Sequence, residues 1–192
     1  MIETTRAWAR VPFGDAPLVG DPDRHLGPEE LERSFKSIER AFALDAASLA
    51  AIIIRRSAGG RDQPATANLS PVAGLVGDRW VMGKAQPGDQ VSMMNVEVAA
   101  RIANGQSIAL FGDNLFSDLD VRESALPEGA RLRIGESILQ VSTTPHVPCD
   151  RFRARFGHHA FRFAANTPRI RGVYLTVLVG GAIAVGDGVH RL

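Results

Sequence analysis

Cys149 is the only cysteine of the 192-residue chain, and its sequence neighbours make it a candidate for chemistry. Pro148 precedes it, and a proline disfavours helical geometry in the residue before it. After the cysteine, Phe152 and Phe156 are four positions apart and Gly157 follows. This spacing predicts one or two helical turns that end at Gly157, with both phenylalanines on a core-facing side. Cys149 then lies at the entry of the helix.

The charges around Cys149 favour a reactive thiol. Unpaired amides and the positive end of the helix dipole stabilise a thiolate at a helix start. Arg151 and Arg153 add positive charge, as His146 does when protonated, whereas Asp150 opposes them. A thiolate in this place can be a nucleophile, a sulfur acceptor or a ligand for a soft metal. The alternative is a buried cysteine that acts as a small apolar side chain.

Two glycine-containing segments carry further candidates. In GLVGDRW (residues 74–80), Asp78 can accept hydrogen bonds from backbone amides, and Arg79 can bind a phosphate or a carboxylate. In FGDNLF (residues 111–116), the loop can present backbone amides and an asparagine side chain to a polar ligand. Each segment alone is equally consistent with a simple turn. The candidates of the second segment are Gly112, Asp113 and Asn114.

Other catalytic and metal-binding patterns are missing from the sequence. It contains no P-loop, no Gly-x-Ser-x-Gly elbow and no Gly-x-Gly-x-x-Gly after a strand. His158 and His159 lack the paired spacing of tetrahedral zinc sites, so we expect them on a solvated surface.

Composition limits the classes of function. Net charge is +1, with 22 basic and 21 acidic residues, which provides no general attraction to nucleic acid or to a membrane surface. No apolar run approaches the ~20 residues of a membrane helix, and the N-terminus lacks the apolar core of a secretory signal. A single cysteine fits a reducing compartment. We therefore expect a cytoplasmic protein that binds neither nucleic acid nor membranes.

Short strands dominate the predicted elements, and the few helices do not alternate regularly with them. This pattern predicts a mainly β protein, a closed or nearly closed β-barrel with a few peripheral helices. The predicted strands are 50–56, 80–84 and 107–112; the hairpins are 131–144 and 172–189, the second turned at Gly180 and Gly181; and the helices are 28–43 and 95–105, the second capped by Asn95.

The N-terminal quarter is predicted to be an appendage. Residues 1–27 are rich in Pro, Gly and Asp and suggest an extended arm. The helix at 28–43 has an apolar stripe that needs a partner, either the main domain or a second subunit in a homodimer. We therefore divide the chain into an arm and helix at 1–48 and a barrel domain at 49–192.

Taken in order, four segments resemble the MOSC domain, named for the C-terminal part of molybdenum-cofactor sulfurases. GLVGDRW resembles the Gly-Leu-x-Gly-Asp-Arg turn of the family, and FGDNLF its Gly-(Glu/Asp)-Asn-Leu segment. TPHVPCDRF is similar to its Pro-x-x-Pro-Cys-x-x-Phe motif, and RGVYLTVLVGGAIAVGD to its closing hairpin. The resemblance covers roughly residues 49–190, and its specificity comes from the order and spacing of the four motifs together.

The resemblance implies a β-barrel with the molybdenum cofactor (molybdopterin) at its mouth. It implies that Cys149 is the thiolate ligand of molybdenum, and that the protein reduces a small N-hydroxylated substrate with electrons from a separate redox partner. The expected cofactor-binding residues are Arg79, Asp78, Gly112, Asp113, Asn114 and His146.

Two departures from the family pattern keep other functions open. Trp80 stands where a histidine is expected after Gly-Asp-Arg, and His146 stands where family members often have arginine. One alternative is a sulfur carrier that holds a persulfide on Cys149. The other is a non-catalytic binding module that has kept the barrel.

Overall fold

The computed structural model describes residues 20–36, 38, 42, 47–57, 59–83, 86 and 88–192, a mainly β fold as predicted. The strands are β1 (Ala47–Ile52), β2 (Ile54–Arg55), β3 (Arg61–Asp62), β4 (Thr66–Ser70), β5 (Gly74–Leu75), β6 (Val91–Asn95), β7 (Leu115–Ser117), β8 (Arg131–Ile134), β9 (Ser137–Val141), β10 (Val173–Val179), β11 (Gly181–Ala184) and β12 (Gly188–Arg191). The helices are α1 (Pro28–Phe35), α2 (Val96–Ala103) and α3 (Asp150–Asn166).

Seven strands close into a barrel in the order β1-β12-β8-β9-β10-β6-β7, which confirms the predicted barrel. Strand β8 alternates between exposed arginines and the buried Leu132 and Ile134, as a half-buried strand must. Its partner β9 buries Leu139 and Val141 on the same inner face. The predicted hairpin at 131–144 is therefore confirmed, and these side chains belong to the apolar barrel interior.

A layer of helices covers one side of the barrel. Strands β6 and β7 are parallel, so the chain crosses between them through α2 and a short 3-10 helix, Ile108–Phe111. A second apolar cluster lies between this layer and the barrel, and it includes Phe152 and Phe156 of α3, both buried as predicted. In the described ranges, no helix is long and apolar enough to cross a membrane.

Two predicted strands are 3-10 helices instead. Residues 79–82 form one, because the Asp78 side chain accepts a hydrogen bond from the Trp80 amide and caps the turn. Residues 108–111 form the other, because the Ser107 side chain accepts one from the Ala109 amide. Both segments are short and mostly apolar, and in such segments the hydrophobic periodicity does not distinguish a helix from a strand. The capping side chains decide the local structure.

The predicted hairpin at 172–189 is also wrong in its pairing. Strand β10 lies in the barrel between β6 and β9, whereas β11 joins a separate sheet with the order β11-β4-β5. The chain changes sheets at Gly180, where a Cβ atom would lie 2.6 Å from the Leu69 carbonyl oxygen. The glycine therefore permits a close approach to a neighbouring strand rather than a tight turn between two paired strands.

Helices α2 and α3 confirm the two predicted helices, but α3 continues beyond its predicted end at Gly157. The Asn95 side chain caps α2 by accepting hydrogen bonds from the amides of residues 97 and 98. At Gly157 the backbone of α3 has φ = 88°, so the first helical segment ends there, as predicted. A second segment continues to Asn166 and buries Ala160 and Ala164 at a spacing of four. The two exposed histidines follow the break.

Part of the N-terminal prediction lies outside the described residues: the arm at 1–19, and residues 37, 39–41 and 43 of the predicted helix. Helix α1 ends at Phe35, earlier than predicted. Leu31 is buried, and the rings of Phe35 and Phe163 are 4.6 Å apart. The described part of the apolar stripe therefore packs against its own chain. The domain boundary at 48/49 and the homodimer stay predictions.

Candidate functional site

Cys149 is the N-cap residue of α3, and it is exposed. Its backbone is extended, with φ = −112° and ψ = 175°, and its carbonyl accepts the first helical hydrogen bond, from the Arg153 amide at 3.1 Å. A negative charge on Cys149 would act to raise the pKa of Arg155, so the two side chains lie near each other. The structure thus has an accessible thiol at a helix start beside a buried arginine.

Asp78 and Arg55 form a paired unit that supports the site. The Arg55 guanidinium donates from Nε to Asp78 Oδ2 at 2.9 Å and from Nη2 to Oδ1 at 2.8 Å, and the Arg55 amide donates to the same carboxylate. Burial acts to raise the pKa of Asp78, but these hydrogen bonds outweigh it and hold the pKa below its usual value. Both groups are therefore charged at neutral pH.

Asn114 is fully buried, and its side chain bonds to the protein on every side. Its Nδ2 donates to Asp78 Oδ2 at 3.0 Å and to the Ile53 carbonyl, while its Oδ1 accepts from the Ser92 amide. A ligand could bond to Asn114 directly only by displacing one of these contacts. In this structure Asn114 fixes the orientation of the Asp78 carboxylate, and direct binding of a ligand stays a prediction.

Gly112 marks the point where arginines from different parts of the chain converge. Its carbonyl accepts a hydrogen bond from Arg55 Nη1 at 3.2 Å. At φ = 77°, a Cβ on this residue would be in van der Waals contact with two guanidinium nitrogens, 3.6 Å from Arg61 Nη2 and 3.9 Å from Arg155 Nη1. The amides of Gly112 and Asn114 bond protein carbonyl oxygens. Guanidinium groups, rather than these two amides, therefore line the space at this loop.

The arginines lie near enough to repel one another. Burial, followed by the charges of Arg79, Arg155 and Arg55, lowers the pKa of Arg61 to about 10. Burial and then the charges of Arg55 and Arg151 lower the pKa of Arg79. Like charges held together in this way are relieved when an anion binds among them. We call this group the arginine cluster: Arg55, Arg61, Arg79, Arg151 and Arg155.

A cleft of about 530 Å³ is lined in part by the arginine cluster, of which Arg61 and Arg155 do not belong to the lining. Its lining residues are Arg55, Ser57, Arg79, Trp80, Met82, Gly83 and Arg151. This lining includes three arginines and no carboxylate, and the nearby Asp78 is already paired with Arg55. Arg153 turns away from the cleft, because it pairs with Asp150 and stacks over Phe161. The described lining of the cleft therefore has an excess of positive charge.

Asp113 and His146 belong to a buried group and do not line the cleft. Arg171 Nη1 donates to Asp113 Oδ2 at 2.5 Å, inside the apolar cluster near Phe111 and Phe152. His146 Nε2 lies 3.6 Å from Asp113 Oδ1, and the imidazole packs on the Tyr174 ring at 4.2 Å. We call Arg171, Asp113 and His146 the buried triad. Direct contact of Asp113 and His146 with a cofactor stays a prediction.

The buried triad makes folding sensitive to acid. Burial, and then the charge of Arg171, lowers the pKa of His146 from 6.5 to about 3. The unfolded chain therefore binds one more proton than the folded chain between these values, so stability falls as pH falls below ~6.5. We expect His146 to reduce the free energy of unfolding by about 2 kcal/mol between pH 8 and pH 5.

Urea unfolding at pH 8 and pH 5 measures this loss. The control is His146→Gln, whose side chain cannot titrate. The difference in the free energy of unfolding between wild type and variant should therefore be about 2 kcal/mol smaller at pH 5 than at pH 8. Equal pH dependence in the two proteins would contradict the buried neutral imidazole.

Sequence analysis missed several residues of the site. Arg55, Arg61, Arg155 and Arg171 were not singled out, because each becomes significant only when distant segments meet. A weak signal existed for α3, where Arg151 and Arg155 are four apart and Arg153 lies between them. Residues four apart lie on the same face of a helix. This spacing places Arg151 and Arg155 on one face and Arg153 on another.

A comparison with family models identifies the family. The model of the MOSC domain matches residues 86–190, more than half of the chain. The chain belongs to the MOSC domain family. This family is associated with the molybdenum cofactor, and the matched region contains Cys149 and the loop at Gly112. No curated protein matches the sequence.

Solved structures share the fold of this MOSC domain. A hypothetical protein matches with a TM-score of 0.57 and 21% identity over 80% of this chain and 70% of its own. YuaD from Bacillus subtilis matches with 0.56 and 17% over 75% and 94%. YiiM from Escherichia coli matches with 0.50 and 20% over 76% and 69%. At these identities the likeness concerns the fold alone.

Proposed function

We propose that this MOSC domain holds the molybdenum cofactor in the cleft over the arginine cluster and reduces N-hydroxylated compounds. Electrons would come from a separate redox protein, in the cytoplasm. The observation that carries the proposal is the exposed thiol of Cys149 at the start of the helix whose Arg151 lines a cleft with excess positive charge. A soft thiolate suits a molybdenum centre, and a group of arginines suits the phosphate of its pterin.

The residues present fit an anionic cofactor. Arg61 Nε is buried and makes no hydrogen bond to any described residue, although Nη1 of the same guanidinium donates to two backbone carbonyls. A buried donor without an acceptor is costly, and a bound phosphate oxygen would satisfy it. Gly112 has no side chain here, and the guanidinium groups of Arg61 and Arg155 lie next to the position that a Cβ atom would fill.

The metal would have to arrive with most of its ligands. Within the described ranges, no three His, Cys, Asp or Glu side chains converge as a metal-binding set. Cys149 alone therefore cannot hold a metal ion firmly, whereas a pterin dithiolene brings two further sulfur ligands of its own. One protein thiolate plus an arginine-bound phosphate is a donor set suited to this cofactor.

The reaction would break the N–O bond of the substrate. R–NHOH, two electrons and two protons give R–NH₂ and water, so the oxygen leaves as water and the nitrogen is reduced. When bound, the cofactor supplies two-electron oxygen-atom chemistry. The residues of this chain hold the cofactor by charge, present the thiol at the metal position and keep the cleft open to substrate. Because the cleft is open, protons are available from solvent.

Molybdenum retention tests the proposal with a matched pair of variants. Arg151 lines the cleft, and Arg153, in the same helical turn, does not. After expression in a host that makes the cofactor, wild type and Arg153→Met should retain near-stoichiometric molybdenum. Arg151→Met should weaken cofactor binding by about tenfold or more, the usual effect of losing a charge-assisted hydrogen bond. Molybdenum per protein and pterin fluorescence after dialysis measure the difference.

Well-folded wild type that contains neither molybdenum nor pterin would overturn the proposal. Mass spectrometry of the same preparation distinguishes what remains. A sulfur adduct on Cys149 would favour the sulfur carrier, since the exposed thiol alone suffices for that role. An unmodified thiol with no unusual reactivity would favour a binding module.

A further inference from the structure

The described N-terminal segment, residues 20–27, packs against α3 at the break in that helix. At Gly157 the backbone leaves helical geometry, so the carbonyl groups just before this point need donors from outside the helix. His25 Nε2 lies 3.2 Å from the Arg155 carbonyl oxygen and acts as the donor, because a carbonyl oxygen can only accept. Gln106 Nε2 donates to the same oxygen at 3.4 Å. Two side chains from outside α3 therefore bind the carbonyl of one residue at the break.

The segment and the helix approach each other so closely that both need glycine at the contact. A Cβ atom on Gly20 would lie 2.0 Å from the Arg155 carbonyl oxygen. A Cβ atom on Gly157 would lie 2.9 Å from both Cγ and Nδ1 of His25. Larger residues at either position would therefore push the segment away from the helix.

The segment is also bonded to the connection that follows α2. The Asp21 amide donates to Gln106 Oε1 at 2.7 Å. Gln106 thus bonds the segment through Oε1 and α3 through Nε2. Leu26, 8% exposed, belongs to the apolar cluster between the helices and the barrel. Polar and apolar contacts together fix the segment on the helix.

Arg155 connects this contact to the functional site. Its Nη1 donates to the Leu110 carbonyl at 2.6 Å and lies 3.9 Å from the position that a Cβ atom on Gly112 would fill. A negative charge on Cys149 would act to raise the pKa of Arg155, so the thiol and the guanidinium lie near each other. Contacts that fix the backbone of Arg155 therefore also fix the point from which this guanidinium extends.

We propose that residues 20–27, which we call the strap, belong to the functional site, and that His25 positions the guanidinium of Arg155 beside the thiol of Cys149. The inference rests on the proposed function for the purpose of this arrangement, which is to hold an anionic cofactor. His25 acts through Arg155 and is therefore a positioning residue. The strap lies outside the region that the family model matches, residues 86–190.

Alkylation of Cys149 measures the positive charge at the thiol without cofactor or turnover, and this residue is the only cysteine. Iodoacetate is anionic and iodoacetamide is neutral. Both attack the same thiolate, so its ionised fraction cancels in the ratio of their rate constants. In His25→Leu, which has no donor, the ratio of the iodoacetate to the iodoacetamide rate constant should fall about two- to fivefold at low ionic strength. At ~1 M salt the difference from wild type should shrink.

Matched variants separate positioning from folding. His25→Gln should restore the wild-type ratio, because its Nε2 can donate to the same carbonyl. Gly20→Ala should lower the ratio as His25→Leu does, because its Cβ atom has no room. Gly27→Ala, in the same segment, should leave the ratio unchanged, since its Cβ atom would meet only Glu30 Oε2, at 3.4 Å. A lower urea midpoint with an unchanged ratio in His25→Leu would show a purely structural role and overturn the inference.

The double variant tests whether the effect passes through the guanidinium. Arg155→Met should lower the ratio at least as much as His25→Leu, and adding His25→Leu to it should have no further effect. Additive effects of the two substitutions would overturn the positioning role. If Arg155→Met does not fold, the ratios in His25→Leu and Gly20→Ala still decide.

Molybdenum content separates the failure of this inference from that of the proposed function. Folded wild type that holds no molybdenum, but whose alkylation ratio depends on His25, would support the strap and refute the proposed function. Equal ratios in wild type and His25→Leu, with molybdenum retained in both, would refute the strap and leave the proposed function standing.

Discussion

Cys149→Ala is expected to abolish both molybdenum retention and reduction of N-hydroxylated compounds, leaving only the rate of cofactor-free protein. The thiol is exposed and makes no side-chain cap, so the free energy of unfolding should change by less than ~1 kcal/mol. The physical reason is that the described residues offer the metal no other set of ligands. Metal analysis, an assay with an N-hydroxylated compound and urea unfolding measure the three quantities.

Cys149→Ser is the sharper control. Serine is a favoured N-cap residue, so α3 should form at least as well as in wild type. Its hydroxyl is a hard and weakly acidic ligand, so molybdenum should still be lost. Retention of metal and activity in either variant would refute the assigned role of the thiol. Retention of the cofactor with loss of activity alone would restrict Cys149 to the chemical step.

Asp113→Asn is expected to destabilise the fold strongly. It leaves the Arg171 guanidinium, which is 6% exposed, without its carboxylate partner inside an apolar cluster. Removing one member of a buried ion pair typically costs about 3–5 kcal/mol. Urea unfolding at pH 8, where His146 is neutral in both folded and unfolded chains, measures the loss.

The double variant Asp113→Asn with Arg171→Met tests the cause. Once the buried cation is gone, most of the loss should be recovered, because an apolar side chain suits the neighbourhood of Phe111 and Phe152. If Asp113→Asn does not fold, recovery of folded protein in the double variant still tests the prediction. A single variant within ~1 kcal/mol of wild type would contradict it.

The fold could be predicted where local signals agree with long-range pairing. The hairpin of β8 and β9 pairs neighbouring segments, so alternation and a turn suffice to identify it. Strand β11 follows β10 directly but pairs with β4, which lies far earlier in the chain. No local pattern contains that choice. The 3-10 helix at 79–82 likewise depends on a single cap by Asp78, which outweighs the β-propensity of Trp80 and Val81.

The site was predictable in its members more than in their roles. Motif order singled out Asp78, Asn114 and Cys149. It did not reveal that Asn114 bonds to Asp78, because those segments meet only through closure of the barrel between β1 and β7. Arg79 and Arg151 of the arginine cluster were noted, but Arg55, Arg61 and Arg155 were missed for the same reason. Arg55 and Arg61 lie on either side of the short connection between β2 and β3. Their spacing does not indicate that they approach α3, which comes much later in the chain.

The Asp78 carboxylate connects three separate segments of the chain, because each of its three partners belongs to a different one. The carboxylate binds Arg55 in the arginine cluster, the amide of Trp80 in the 3-10 helix at 79–82, and Asn114 directly before β7. A change at this one position would disturb all three together. Met82, 73% exposed, lines the same cleft, so a substitution there should change the cleft lining without disturbing the carboxylate and its three partners.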